Sequence, residues 1–181
     1  MKKNKAVLVF LLRFFVSYLL LYSGYQLYLK KYQQKNSNGC DPITQLVAKQ
    51  TVSTANTIGY DFNSEQHEEE ASIKLFIDRH YTARVVEGCN SISIIILFWA
   101  FIIAFAGKWQ NTLLFGVIGS LSIYFLNIGR IIFLTVILNN YPKHSDFWHQ
   151  LVFPAIIYGF TFVLWIIWVR FFALKNSANN D

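Results

Sequence analysis

The sequence predicts an all-α integral membrane protein with four transmembrane helices and one polar segment between the first two. Three observations carry this expectation. Hydrophobic residues make up 54% of the 181 positions and aromatic residues 18%, but charged residues only 14%. Soluble domains match the apolar share yet carry roughly a quarter charged residues, so the charge deficit is the informative figure. Apolar residues also gather into four long runs, and the basic residues cluster beside them, the pattern by which membrane proteins fix their orientation.

A hydrocarbon core about 30 Å thick requires roughly 20 helical residues. The first run covers about 6–29 (AVLVFLLRFFVSYLLLYSGYQLYL) and follows Lys2, Lys3 and Lys5. A secretory signal has an apolar core of about 7–15 residues followed by a small-x-small cleavage site. This run is longer and lacks that site, so an uncleaved anchor is expected. Arg13 lies inside it and is expected to snorkel toward the lysine-bearing end.

The second run is about 91–106 (SISIIILFWAFIIAFA), extended upstream by the small residues Gly88 and Cys89. A turn at Gly107, Lys108, Trp109 and Gln110 is too short to hold a domain. The third run, about 111–138, is long enough to span with tilt. It contains Gly116, Gly119, Ser120 and Ser122, small residues that let helices approach closely in lipid. The fourth run, about 151–172, follows a polar loop at 139–146.

Between the first two runs lies an extracytoplasmic segment, about 30–87, expected to be partly helical. Its first half, through Asn63, is rich in Asn, Gln, Ser and Thr and reads as loop. Its second half reads as an amphipathic helix lying on the bundle: Glu65, Glu68, Glu69 and Glu70 precede Ile73, Leu75, Phe76 and Ile77, and acidic residues suit a helix N-terminus. The whole chain, 1–181, is expected to be a single membrane domain.

Lys2, Lys3, Lys5, Lys108, Arg170 and Lys175 place both termini in the cytoplasm by the positive-inside rule. Lys30, Lys31 and Lys35 oppose that orientation, but the polar segment is long enough to translocate with its charge. The same distribution explains the net charge of +6 without nucleic acid as a partner; the expected partner is the bilayer. No metal site is expected, since His67 and His80 are too far apart for a helical pair and no H-E-x-x-H is present; no cofactor is expected either. Two cysteines are too few for a disulfide scaffold and leave room for one bridge, Cys40 to Cys89.

Helix parity brings three chemically capable residues to one side of the membrane. Cys89 precedes the second helix, His149 precedes the fourth, and Arg130 sits in the half of the third helix that returns to the same face. A central arginine costs about 2.5–3.5 kcal/mol on insertion scales, so intramembrane arginines face a bundle interior or a wet cavity. Asn127, one turn earlier, extends the polar stripe. Two readings of Arg130 stand: a functional cation, or a structural one that snorkels to carbonyls or loop carboxylates. Cys89 has three: a small buried apolar residue, half of a bridge with Cys40, or a nucleophile whose thiolate a helix N-terminus and a nearby cation favour. His149 is either an interfacial residue beside Trp148 or an acid–base group, with His144 a rival in the same loop; a histidine near its ordinary pKa of about 6.5 serves either way at neutral pH.

The segments E-G-C-N-S-I-S at Glu87–Ser93, N-I-G-R at Asn127–Arg130 and F-W-H at Phe147–His149 resemble those of the exosortase/archaeosortase family of membrane-embedded cysteine transpeptidases, most closely the compact exosortase F type of Bacteroidetes. The likeness covers the chain from about Arg84 onward; 1–63 matches only in general character. It implies Cys89 as nucleophile, Arg130 as stabiliser of the oxyanion or thiolate, and His149 as general acid and base, with Asn127 in support. It also implies a multi-pass protein of the bacterial inner membrane with its active site facing the periplasm. The implied substrates are exported proteins carrying a C-terminal short motif, a spanning helix and a basic tail, cleaved through a thioester and transferable to a surface anchor. Two departures stand out: many members are longer, and many have a C-S-G-like motif where this chain has Cys89-Asn90-Ser91.

Two other classes remain open. A non-catalytic assembly or accessory protein of a surface-export system would use Arg130 to hold the bundle and would need no free thiol. A small transporter or proton relay would need a carboxylate partner for Arg130, and helices two to four carry none at depth.

Overall fold

A computed structural model describes residues 2–35, 40–105, 107–141 and 147–173. In lipid no water satisfies the backbone, so long apolar runs must close their hydrogen bonds internally as helices. The runs do so: α1 (Lys2–Lys35), α3 (Ile92–Ala104), α4 (Trp109–Asn140) and α5 (Phe153–Trp168). A π-helical turn, Trp148–Val152, leads into α5 and another, Val169–Ala173, follows it. Three helical stretches are long and apolar enough to cross a membrane: Val7–Tyr32, Trp109–Asn140 and Pro154–Phe172. The remaining apolar helix, α3, has 13 residues, which at about 1.5 Å per residue is some 20 Å.

The protein is mostly helical but not all-α, and the polar segment is organised opposite to expectation. Its first half, expected as loop, forms α2 (Pro42–Thr57). Asp41 caps that helix, its carboxylate accepting from the backbone N–H groups of Ile43 and Thr44 at 3.0 Å each, and Pro42 occupies the first turn, where its missing N–H is no loss. Thr44, Val47, Ala48, Thr51 and Ala55 form its buried stripe at helical spacing.

The second half, expected as helix, is an antiparallel three-stranded sheet in the order β1 (Phe62–Gln66), β2 (Ser72–Ile77), β3 (His80–Val86). Period-two burial decides it: Ile73, Leu75 and Ile77 point inward from β2 while Lys74 and Phe76 are less buried. Glu68, Glu69 and Glu70, read as a helix start, instead lie in the bend between β1 and β2. The β2–β3 hairpin turns on Asp78 and Arg79, with φ of 49° and 66°. Two left-handed residues suit the tight turn between strands, but with no glycine there the usual hairpin signal is missing.

The chain divides into two compact units. One comprises Met1–Gln26, Ile92–Ile123 and Tyr158–Asp181. Phe98, Ile102, Ile123 and Trp168 form its buried centre, and Phe101 stacks on Trp165 with ring centroids 4.3 Å apart. Gly119 faces Phe98 and Gly116 faces Trp99, the close approach expected of small residues; the Trp99 indole donates to Ser120 Oγ at 2.9 Å. Arg13 is exposed on α1.

The second unit comprises Leu27–Ser91 and Tyr124–Ile157. Its core joins Val47 and Ala48 of α2, Ile73 and Leu75 of β2, Val85 of β3 and Ile131 of α4. A neighbouring cluster adds Ala55, Phe62, Ile77, Ile128 and Ile132. The polar segment thus folds with the second half of α4.

A Cβ added at Gly119 would lie 2.4 Å from Phe98 Cζ, and Phe98 is fully buried, so its ring has nowhere to go. Gly119→Ala should therefore cost about 1–3 kcal/mol, visible as a lowered Tm in detergent. Gly24→Ala, whose added carbon meets nothing within 4 Å, should be neutral or mildly stabilising.

Candidate active site

The site is built where β3 ends. After Val86 the backbone makes a single 3-10 turn, Glu87–Cys89, and α3 begins at Ile92. The link contains a left-handed residue, Ser91, with φ of 63°, a conformation that costs a non-glycine residue of order 1 kcal/mol or more and persists only where neighbours impose it. The neighbours are visible. Asn90, almost fully buried, donates from Nδ2 to Thr44 Oγ1 of α2 at 3.1 Å. Ser91 Oγ donates to the Asn90 carbonyl at 2.6 Å. From the other side, Asn127 of α4 donates from Nδ2 to the Cys89 carbonyl at 2.7 Å. The half-exposed turn carrying the Cys89 thiol is thus clamped between α2 and α4.

Asn127 is 1% exposed, and a buried amide in a spanning helix needs partners for both ends. Its Nδ2 has Cys89, and its Oδ1 accepts from Arg130 Nη1 at a long 3.4 Å. Arg130, one turn on, keeps a second donor in reserve: its Nε is buried and has no hydrogen-bond partner among the described residues. A donor buried without an acceptor forfeits about 1–3 kcal/mol, more for a charged group, so this N–H is a costly feature of the fold.

Cys89 and Arg130 line one cavity of about 250 Å³. β3 contributes Tyr81 through Val85, and α4 contributes Ile131, Leu134, Thr135 and Leu138. Arg84 on its wall is ion-paired with Glu70, and Thr135 Oγ1 donates to the Ile131 carbonyl of its own helix at 2.8 Å. Arg130 is therefore the wall cation without a carboxylate partner among the described residues.

The two thiols differ. Both cysteines are free, so the bridge left open by the sequence is not formed. Cys40 is 4% exposed, its thiol donates to the Ala71 carbonyl at 3.5 Å, and burial, reinforced by the adjacent Asp41 carboxylate, pushes it up to about 11. It stays a protonated thiol at neutral pH. Cys89 is only partly buried and opens on the cavity.

His149 lies in the π-helical turn Trp148–Val152 of the same unit; its side chain, like the rival His144, lies outside the described residues. The turn is held to α4 by Trp148, which meets Phe133 edge-on with centroids 5.9 Å apart. Of the residues singled out from sequence, Cys89, Asn127 and Arg130 are thus linked directly, and the backbone of His149 belongs to the same unit. Sequence reasoning missed the Asn90–Thr44 clamp and the cavity wall supplied by β3. The helical reading of 64–87 concealed the strand, and nothing local ties Thr44 to a residue 46 positions away.

Fold and site together define a multi-pass membrane protein with a thiol and a guanidinium donor on one cavity beside a small polar layer. The chain belongs to the transmembrane exosortase family: the family model described as "Transmembrane exosortase (Exosortase_EpsH)" matches residues 6–169. No curated protein and no solved structure matches the chain.

Asn127→Ala deletes the donor holding the Cys89 carbonyl and one acceptor of Arg130. It should lower stability by about 1–3 kcal/mol, read as a Tm shift in detergent. In Cys89→Ala protein, alkylation of Cys40 should rise about tenfold per pH unit from 7 to 10, because only the thiolate reacts and its pKa lies near 11. A plateau by pH 9 would contradict the buried, carboxylate-flanked placement.

Proposed function

We propose that this protein is a cysteine transpeptidase or peptidase of the compact exosortase F type. It cleaves the C-terminal sorting signals of exported proteins at the outer face of the bacterial inner membrane. In this reading α3 also crosses, as the second of four spans, both termini are cytoplasmic, and the polar layer stands in the periplasm. The observation that carries the proposal is that Cys89 and Arg130 line one cavity, with the Arg130 Nε buried and unpartnered among the described residues.

The chemistry follows from those two groups and an imidazole. The Cys89 sulfur, as thiolate, attacks the scissile carbonyl carbon; a C–S bond forms and the carbonyl π electrons move to oxygen. Arg130 donates to that oxyanion, a contribution typically worth about 10²–10³ in rate for one donor. When the tetrahedral intermediate collapses, the C–N bond breaks and the His149 imidazolium gives its proton to the departing amine, leaving a thioester on Cys89. Water or a nucleophile on a surface glycan or lipid then attacks the thioester, its proton passes to His149, and Cys89 leaves as thiolate. Asn127 acts as a positioning residue, because it grips the Cys89 backbone and orients Arg130.

A second reading, a non-catalytic accessory protein of surface export, draws on the same contacts. Asn127 holds the backbone of Cys89 rather than its sulfur, which a purely structural clasp would also do. The two readings part on the thiol. As an enzyme, Cys89→Ala should abolish processing of an exported protein bearing the motif, helix and basic tail, while Cys40→Ala retains it. Arg130→Lys should lose about 10² or more, since an ammonium does not reproduce the guanidinium fork. Immunoblots of cells co-expressing a tagged substrate read all three, and normal processing by Cys89→Ala would refute the covalent mechanism.

A further inference from the structure

The cavity wall formed by β3 presents the edge of the strand. Five consecutive residues of one strand, Tyr81 through Val85, line a single cavity. Side chains along a strand alternate between opposite faces. An unbroken run of five can therefore border one space only along the edge of the strand, where the backbone itself is presented.

That edge has no strand beside it. β3 is the last strand in the order β1-β2-β3, and among the described residues no other strand pairs with it. The register identifies which groups it offers. Ser72 of β2 gives its carbonyl to the N–H of His67, on the β1 side. Backbone groups in an antiparallel ladder turn alternately to one neighbour and the other. Val86, which pairs with Ser72, and Arg84, which pairs with Lys74, therefore direct their N–H and C=O away from β2, toward the open side. A bulge between Leu75 and Phe76 leaves Thr82 without a register partner at the far end of the same edge. An unpaired edge is a template for another extended segment and is usually blunted or covered in proteins that do not use it. Here it runs directly into the turn that carries Cys89.

We propose that the substrate is an extended peptide that joins the sheet as a fourth strand along β3, so that backbone pairing delivers its scissile carbonyl to the Cys89 sulfur and the Arg130 guanidinium. The occupant is the motif of an exported protein immediately before its C-terminal helix. That segment must be extended to be cleaved at all, and its main-chain carbonyl is an acceptor for Arg130, whose Nε has none among the described residues. Main-chain pairing accounts for affinity, and the cavity, walled by Leu134, Leu138 and Tyr81, accounts for selection among side chains on alternate positions. This deepens the function proposed above and rests on it.

The test is disulfide cross-linking in membranes, in a Cys40→Ala, Cys89→Ala background that needs no turnover. Arg84→Cys supplies the reporter on the edge and Leu134→Cys a reporter on the opposite wall. The probe is an epitope-tagged exported protein ending in a motif, one apolar helix and a basic tail, with a single cysteine moved one residue at a time through the segment before the helix. Strand addition predicts cross-links from Arg84→Cys at every second probe position and their loss at the intervening ones. Cross-links at helical spacing, at all positions alike, from Leu134→Cys alone, or from neither reporter would overturn it. A parallel proline scan of the same probe against the unaltered enzyme should block processing at alternate positions; a flat or non-alternating scan would likewise overturn it. Failure of the sorting function itself reads differently, as equal processing of the probe by wild-type and Cys89→Ala protein.

Discussion

An arginine in a membrane-spanning helix is the constraint around which the second unit is organised. Arg130 cannot sit in lipid cheaply, so α4 must turn it inward, and once inward its donors need acceptors. Asn127 takes one of them and passes the polarity on through its own amide to the Cys89 carbonyl. These contacts tie the turn that follows β3 to α4. The remaining donor, Nε, is buried and has no hydrogen-bond partner among the described residues.

The polar layer follows from the same requirement. A guanidinium within a span faces a bundle interior or a wet cavity, and lipid supplies neither. α2 and the three strands build such a cavity by packing Val47, Ala48, Leu75 and Val85 against Ile131. Ala48 and Thr51 of α2 are fully buried, and the capping carboxylate of Asp41 starts the helix. The Cys40 thiol is buried in this layer, whereas Cys89 is only partly buried and lines the cavity.

Much of this was legible in the sequence, for reasons that can be stated residue by residue. The apolar runs announced helices because lipid leaves the backbone no other option. Gly116 and Gly119 announced close packing because nothing larger fits beneath Trp99 and Phe98. Arg130 and Asn127 announced a polar stripe because they are costly where they stand. The polar segment was misread for equally physical reasons. Four carboxylates before an apolar stretch mimic a helix start, yet Ile73, Leu75 and Ile77 alternate as a strand does. Asp78 and Arg79 make a tight hairpin without glycine. Conversely, Asn- and Thr-rich composition hid α2, although Asp41 followed by Pro42 is a helix-start signal in its own right. The clamp between Asn90 and Thr44 was out of reach, because only the tertiary fold brings them together.

The account turns on the sulfur of Cys89 becoming covalently joined to a peptide carbonyl beside Arg130. The most direct measurement is to quench membranes containing the wild-type protein and a tagged exported substrate in acid, then map any hydroxylamine-sensitive adduct by mass spectrometry. A thioester on Cys89 that weakens in Arg130→Lys protein is the expected result. An adduct on Cys40, or continued processing with no adduct on Cys89 under conditions that preserve thioesters, would contradict it.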